Sequence, residues 1–92
     1  GKSEIKVPGG KLIRVECTIE KGALTRTVIT GDFFVHPEDG IQALEEELIS
    51  LPAEPGVIRN HVISFFREGY AIVGATPEDF AKAIMEAVSH AS

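Results

Sequence analysis

The alternation in KLIRVECTIE, residues 11 to 20, constrains the fold more than any other feature of the sequence. Successive side chains of a β-strand point to opposite faces, so a period of two predicts a strand with one buried and one exposed face. The apolar face would hold Ile13, Val15, Cys17 and Ile19. This is the clearest strand signal in the chain.

Strands are also predicted on either side of this segment. EIKV at residues 4–7 alternates, and PGG at 8–10 is typical of a turn. ALTRTVIT at 23–30 is rich in β-branched residues. It follows Lys21-Gly22, a two-residue connection in which glycine accepts positive φ, although lysine is not the favoured residue before it. The first third of the chain therefore predicts a three-stranded antiparallel meander.

Three helices are predicted after the strands, at about residues 37–51, 56–69 and 76–90. In the first helix, Pro37 would take the first helical position. Glu38 and Asp39 would lie at the positive end of the helix dipole. The buried stripe of this helix would consist of Ile41, Leu44, Leu48 and Leu51.

The second helix is predicted from VIRNHVISFFREG, residues 57–69. The whole segment fits a helix, but HVISFF alone also fits a strand. The length of the segment and the terminal Gly69 favour a helix. Phe65 and Phe66 would then lie about 100° apart, so both rings can enter the core.

The third helix is the best defined of the three. Thr76 is a good N-cap residue, Pro77 suits the first turn, and Asp79 occupies the acidic position of a capping box. The buried face would hold Phe80, Ile84, Ala87 and Val88, with Ala83 beside it. The order of strands and then helices predicts an α+β fold in one domain, residues 1–92, with the helices packed on one face of the sheet.

Composition excludes several functions. The net charge is −5, with 14 acidic and 9 basic side chains, so a phosphate backbone would be repelled and no nucleic-acid partner is expected. No apolar run is long enough to span a membrane, and the first residues lack a secretory signal. The single cysteine cannot form an internal disulfide, which favours a cytoplasmic location.

Two features that suggest chemistry have simpler structural readings. VPGGK at 7–11 lacks the spacing of a P-loop and leads into a strand, so a tight hairpin turn is expected. Cys17 lies on the apolar side of its strand, without a visible cation or helix N-terminus to activate the thiol. We expect it in the core.

The segment after the third strand collects acid, base and ligand types within eight positions: Asp32, His36, Glu38 and Asp39. Their spacing matches no known metal motif, and structural roles are favoured. We expect His61 and His90 on the helix surface. No catalytic, cofactor-binding or metal-binding residue is assigned.

Phe33 and Phe34 form the more informative pair. In an extended segment neighbouring side chains point to opposite faces, so one ring can enter the core of the domain. The other ring must be covered by a later helix or by a partner. The residues alone leave both alternatives open.

At ITGDFFVHPEDGIQALEEEL, residues 29–48, the sequence resembles the accessory domain of lipoate–protein ligases. The likeness extends over IKVPGGKLIRVECTIEKGALTRTVITGDFF and nearly the whole chain. In bacterial members this domain is the C-terminal part of one chain. In some archaea it is a separate small protein that pairs with a catalytic subunit.

The resemblance implies a two-step reaction. Lipoate and ATP form lipoyl-adenylate with release of pyrophosphate, and the lipoyl group then passes to a lysine of a carrier domain. ATP, Mg²⁺ and lipoate are expected in the catalytic subunit, and no cofactor is expected on this chain alone. The small subunit would form a heterodimer with the catalytic subunit, would be required for activation of lipoate, and would meet the lipoyl-carrier domain indirectly.

The resemblance also implies a partner interface. The positions that match its motifs are Gly9, Gly10, Gly31, Asp32, Phe33, Phe34, Pro37 and Glu38, and His36 is expected at the rim. Phe33 or Phe34 would anchor the contact. Two rival hypotheses are a small-ligand or regulatory module and a small hydrolase that uses Asp32 and His36.

Overall fold

The computed structural model describes residues 1–9 and 11–91. Its main sheet is an antiparallel meander with strand order β1-β2-β3. The strands are β1 (Lys2–Lys6), β2 (Leu12–Glu20) and β3 (Ala23–Gly31). The backbone hydrogen bond from Val7 N to Lys11 O, 2.8 Å, closes the first hairpin, and Lys21 and Gly22 both adopt positive φ in the second. The predicted meander and both turns are confirmed.

A bulge aligns the buried face of the sheet. Thr18 pairs with Arg26 and Ile19 pairs with Leu24, so Thr25 is an extra residue in β3. This shift places Leu24 on the same side as Thr27 and Ile29, although their numbers differ in parity. The buried apolar side chains of the sheet are Ile13, Val15, Cys17, Leu24 and Ile29.

Three helices cover that face: α1 (Gly40–Glu47), α2 (Pro55–Phe66) and α3 (Pro77–His90). α3 packs on β1 and β2, α2 packs on α3, and α1 packs against β3. Thr76 Oγ1 accepts from Asp79 N, and the Asp79 carboxylate accepts from Thr76 N, so the predicted capping box is present. The α+β class and the three helices are confirmed.

The ring of Phe80 is the centre of the core. It is 0% exposed and lies 4.8 Å from the ring of Phe33, edge to face, and 5.3 Å from the ring of Phe66. A buried hydrogen bond also joins β1 to α3, because the Ser3 hydroxyl donates to Ala83 O at 2.7 Å. These contacts fix α3 against both the sheet and α2.

A second sheet of two short strands was not predicted. It consists of β4 (Phe34–His36) and β5 (Ala71–Val73), paired antiparallel. Pro37 follows β4 directly but begins a turn, in which Gly40 N donates to Pro37 O at 2.9 Å, and α1 begins only at Gly40. The prediction that Pro37, Glu38 and Asp39 form the first helical turn is therefore wrong.

The end of the first helix also differs from the prediction. α1 ends at Glu47, and the following segment pairs with the edge of β3. Leu24 N donates to Leu51 O at 2.9 Å, and Ser50 N donates to Leu24 O at 2.7 Å. Further along the edge, Ile29 N donates to the Glu45 carboxylate at 2.7 Å. The covered edge is protected from pairing with another chain.

None of the helices in the described part of the chain combines the length and hydropathy that a membrane span requires.

Replacing Thr76 with alanine removes the hydroxyl that caps α3. We expect the free energy of unfolding to fall by about 1 kcal/mol, measured by urea denaturation. Thr76→Ser keeps the acceptor oxygen and should retain most of the stability. Equal stability of wild type and Thr76→Ala would show that the capping box contributes nothing.

Candidate functional site

The outward side of the β4–β5 sheet is exposed and mostly apolar. Phe34 pairs with Val73 and His36 pairs with Ala71, and directly opposed side chains in antiparallel strands share a face. Phe34 is 76% exposed and Val73 is 67% exposed, a high value for side chains of this size. We call the four residues Phe34, His36, Ala71 and Val73 the outer patch.

The inward side of the same two strands is packed on the core. Val35 and Ile72 are half-buried against the core cluster, and Phe33, just before β4, contacts Phe80. Phe33 therefore has intramolecular cover. Phe34 has no such cover within the described residues, so the two rings point to opposite sides, as the sequence predicted.

Two glycines let the short hairpin lie this close to the core. A Cβ atom at Gly31 would overlap Leu12 O and the ring of Phe33. A Cβ atom at Gly40 would overlap the Val35 side chain and lie 2.9 Å from the ring of Tyr70. Larger residues at either position would push β4 or α1 outward, so these glycines hold the outer patch in a fixed position.

The other predicted interface residues lie at the same corner of the molecule. Gly31, Asp32, Pro37 and Glu38 are exposed around β4. Gly9 is exposed in the first hairpin and faces the segment 74–76 across a shallow depression. Gly10 lies outside the described residues. The structure thus brings the predicted residues that it describes to one side, but Phe33 is turned inward.

An acidic groove begins where β5 begins. It is lined by Ala43, Glu46, Glu47, Phe65, Glu68 and Tyr70. The ring of Tyr70 stacks on that of Phe65 at 4.5 Å and lies close to Gly40, at the start of α1. We use the name acidic groove for these six residues.

The strand that supplies Ala71 and Val73 to the outer patch, directly after Tyr70 of the groove, was missed by sequence reasoning. The run Tyr70-Ala71-Ile72-Val73 has three strand-favouring residues and ends at Gly74, which is the signal that could have found it. Three residues are too few to show a periodicity, so the strand is defined by its partner and not by its own pattern.

The acid and base types around β4 do not form a catalytic arrangement. Asp32 and His36 are both exposed, and within residues 1–9 and 11–91 neither side chain has a hydrogen-bond partner. The same residues contain no group of three His, Cys, Asp or Glu side chains that could hold a metal ion.

The remaining single candidates have structural surroundings. Cys17 is 5% exposed, and burial raises the pKa of its thiol, which opposes formation of the reactive thiolate. His90 is exposed, and its Nδ1 lies 2.7 Å from Lys2 O. His61 is half-buried, with Nε2 3.6 Å from a Glu47 carboxylate oxygen between α2 and α1. The core position of Cys17 and the surface position of His90 are confirmed.

Comparison with known proteins places the chain in a family. The family model described as "Bacterial lipoate protein ligase C-terminus" matches residues 2–84. The chain belongs to this family, and the resemblance based on the GDFF segment is confirmed.

A curated protein and a solved structure, both from Thermoplasma acidophilum, are similar to this chain. "Lipoate-protein ligase A subunit 2" is 36% identical over 73 residues, which cover 79% of this chain and 76% of that protein. A solved chain from a bi-partite lipoate protein ligase, studied with its E2 lipoyl domain, has a TM-score of 0.82 and 31% identity. The match covers 91% of this chain and 92% of the solved chain.

The two neighbouring phenylalanines should respond differently to truncation. Phe33→Ala removes a half-buried ring that packs on the core at Phe80 and should lower the free energy of unfolding by about 2 kcal/mol. Phe34→Ala removes an exposed ring and should change it by less than about 0.5 kcal/mol. Denaturation of the two variants measures the difference. A larger loss for Phe34→Ala would contradict the observed orientation.

Proposed function

We propose that this chain is the accessory subunit of a two-part lipoate–protein ligase. It docks on a catalytic subunit and is required for the ATP-dependent activation of lipoate to lipoyl-AMP. The observation that supports this most strongly is the family match over residues 2–84, together with a relative that is itself named subunit 2 of such a ligase.

The extent of the structural match favours the separate-subunit form. The solved chain of the bi-partite ligase is covered over 92% of its length, so the likeness extends across almost all of that small chain. This correspondence supports a heterodimer of this chain with a catalytic subunit. ATP, Mg²⁺ and lipoate would be held by the catalytic subunit, which then transfers the lipoyl group to a carrier domain.

The side chains of this domain support an auxiliary role. Asp32 and His36, its best acid and base candidates, stand in solvent without hydrogen-bond partners among the described residues. A general base needs to lie within hydrogen-bond reach of the proton it removes and is usually oriented by a further group. The chain would instead act by covering the adenylation site, because exclusion of water protects a mixed anhydride from hydrolysis.

The proposal is tested by reconstitution. The catalytic subunit, lipoate, ATP and Mg²⁺ are mixed with and without this chain, and pyrophosphate release and lipoyl-AMP are measured. We expect adenylate formation to require the chain. Transfer from synthetic lipoyl-AMP to a carrier domain should depend on it much less.

Equal adenylate formation without the chain would contradict the proposal. A thermal shift of the isolated chain on addition of lipoate or ATP would instead support a small-ligand module, because a ligand that binds the folded state raises its apparent stability. Turnover by the isolated chain, lost in the Asp32→Ala and His36→Ala double variant, would support the hydrolase.

A further inference from the structure

We infer that the outer patch is the surface on which the catalytic subunit docks, with basic side chains of that subunit facing the acidic groove. The inference rests on the proposed function, since it assumes that such a subunit is the partner. It goes further by choosing Phe34 over Phe33, by adding Ala71 and Val73 of β5 to the contact surface, and by naming the charge of what covers it. The main observation in its support is that two exposed apolar side chains, Phe34 and Val73, lie side by side on a two-stranded sheet that is packed on the core. Carboxylates border this sheet on one side.

The outer patch differs from the other exposed faces of the molecule. The outer face of the main sheet is charged and internally paired: Arg14 Nε lies 2.8 Å from the Glu4 carboxylate, and Lys2 stands opposite Glu16. Ile49 is 53% exposed but lies in the segment that covers the β3 edge, at the far end of the sheet. Phe34 and Val73 are adjacent, and their combined apolar area fits the centre of an interface.

The outer patch is also preorganised. Its strands are fixed from behind by Val35 and Ile72, which pack on the core, and by the close approach of α1 at Gly40. A surface that is already in its bound shape loses little conformational entropy when it associates. A two-stranded sheet is marginally stable by itself, and a covering partner would add the burial that its outward side lacks.

The charges around the outer patch select the partner. Within three residues of the ends of β4 and β5, the chain has Asp32, Glu38, Asp39 and Glu68 and no lysine or arginine. On the α1 side, Glu46 and Glu47 extend this negative surface into the acidic groove. On the other side, Lys11 lies across the depression at Gly74, and the pKa of Arg14 is raised chiefly by its hydrogen bond to Glu4, with a smaller contribution from the charge of Asp32.

This asymmetry favours a different protein over a second copy of the chain. Two identical copies would bring their acidic grooves close together around the shared apolar contact, and like charges in an interface are unfavourable. A catalytic subunit with an apolar spot bordered by lysine or arginine on one side would be complementary. Its basic groups would lie over Glu46 and Glu68.

The experiment measures binding of the catalytic subunit by calorimetry, with adenylate formation recorded in parallel. Phe34→Ser and Val73→Ser together should weaken binding by about 30-fold or more, because a central apolar contact is lost. Ile49→Ser is the matched control for an exposed apolar residue and should leave the Kd unchanged within about 2-fold. Circular dichroism verifies that each variant is folded.

The charge arm uses Glu46→Gln with Glu68→Gln, and Glu16→Gln with Glu20→Gln as the control of equal charge change. The groove pair should lower the association rate and flatten its dependence on salt, while the control pair should not. Unchanged affinity in the patch variants, with adenylate formation still dependent on the chain, would overturn the docking surface and leave the proposed function intact. If the chain binds the catalytic subunit tightly through the patch but has no effect on adenylate formation, the docking surface stands and the proposed function is overturned.

Self-association is measured on the chain alone by sedimentation. A wild-type dimer that the Phe34→Ser change dissociates, together with normal binding of the catalytic subunit by that variant, would make the patch an interface between copies and overturn the inference. A monomeric chain whose patch variants lose the catalytic subunit supports it.

Discussion

The contact between Phe33 and Phe80 determines how the second sheet lies on the molecule. Phe80 belongs to α3 and is fully buried, and its ring also contacts Phe66 of α2. With Phe33 inserted at this point, the chain is extended through Phe34, whose side chain must then point away from the core. One buried aromatic contact therefore turns the next residue into an exposed one, and the outer patch is a geometric consequence of the core.

The residues around β4 hold the backbone in the conformation that exposes Phe34. Gly31 and Gly40 allow β4 and α1 to approach their neighbours without steric overlap. The segment after α1 and the Glu45 carboxylate satisfy backbone groups on the edge of β3, which would otherwise be open to pairing. The chain thus closes one edge and leaves one apolar face open, a combination that fits a surface meant for a specific partner.

Sequence periodicity predicted the elements that bury a face of their own. The meander, α2 and α3 each have an apolar pattern long enough to define them, and the capping residues of α3 gave its start. The beginning of α1 and the whole of β5 could not be found this way, because both depend on pairing between residues 34–36 and 71–73, which are distant in the sequence. Pro37 is typical of a helix start, but here it begins a turn that leads to Gly40, the first residue of α1, so the local preference is not realised.

The candidate site could be predicted only in part, because it too depends on pairing between residues that are distant in the sequence. The opposite orientation of Phe33 and Phe34 follows from an extended backbone and could be derived from the sequence, but not which ring is buried. Val73 is recognised as part of the site only because the structure pairs it with Phe34. The acidic groove is likewise recognised only because the structure places Tyr70 beside α1. Resemblance to a family identified the corner, and the structure supplied the second strand that completes it.

Hydrogen exchange of this chain with and without the catalytic subunit tests most directly the claim that it acts through a preformed surface. The account predicts slower exchange confined to residues around β4, β5 and the acidic groove, with the main sheet unchanged. Slower exchange on the outer face of the main sheet, with the β4–β5 region unaffected, would contradict it.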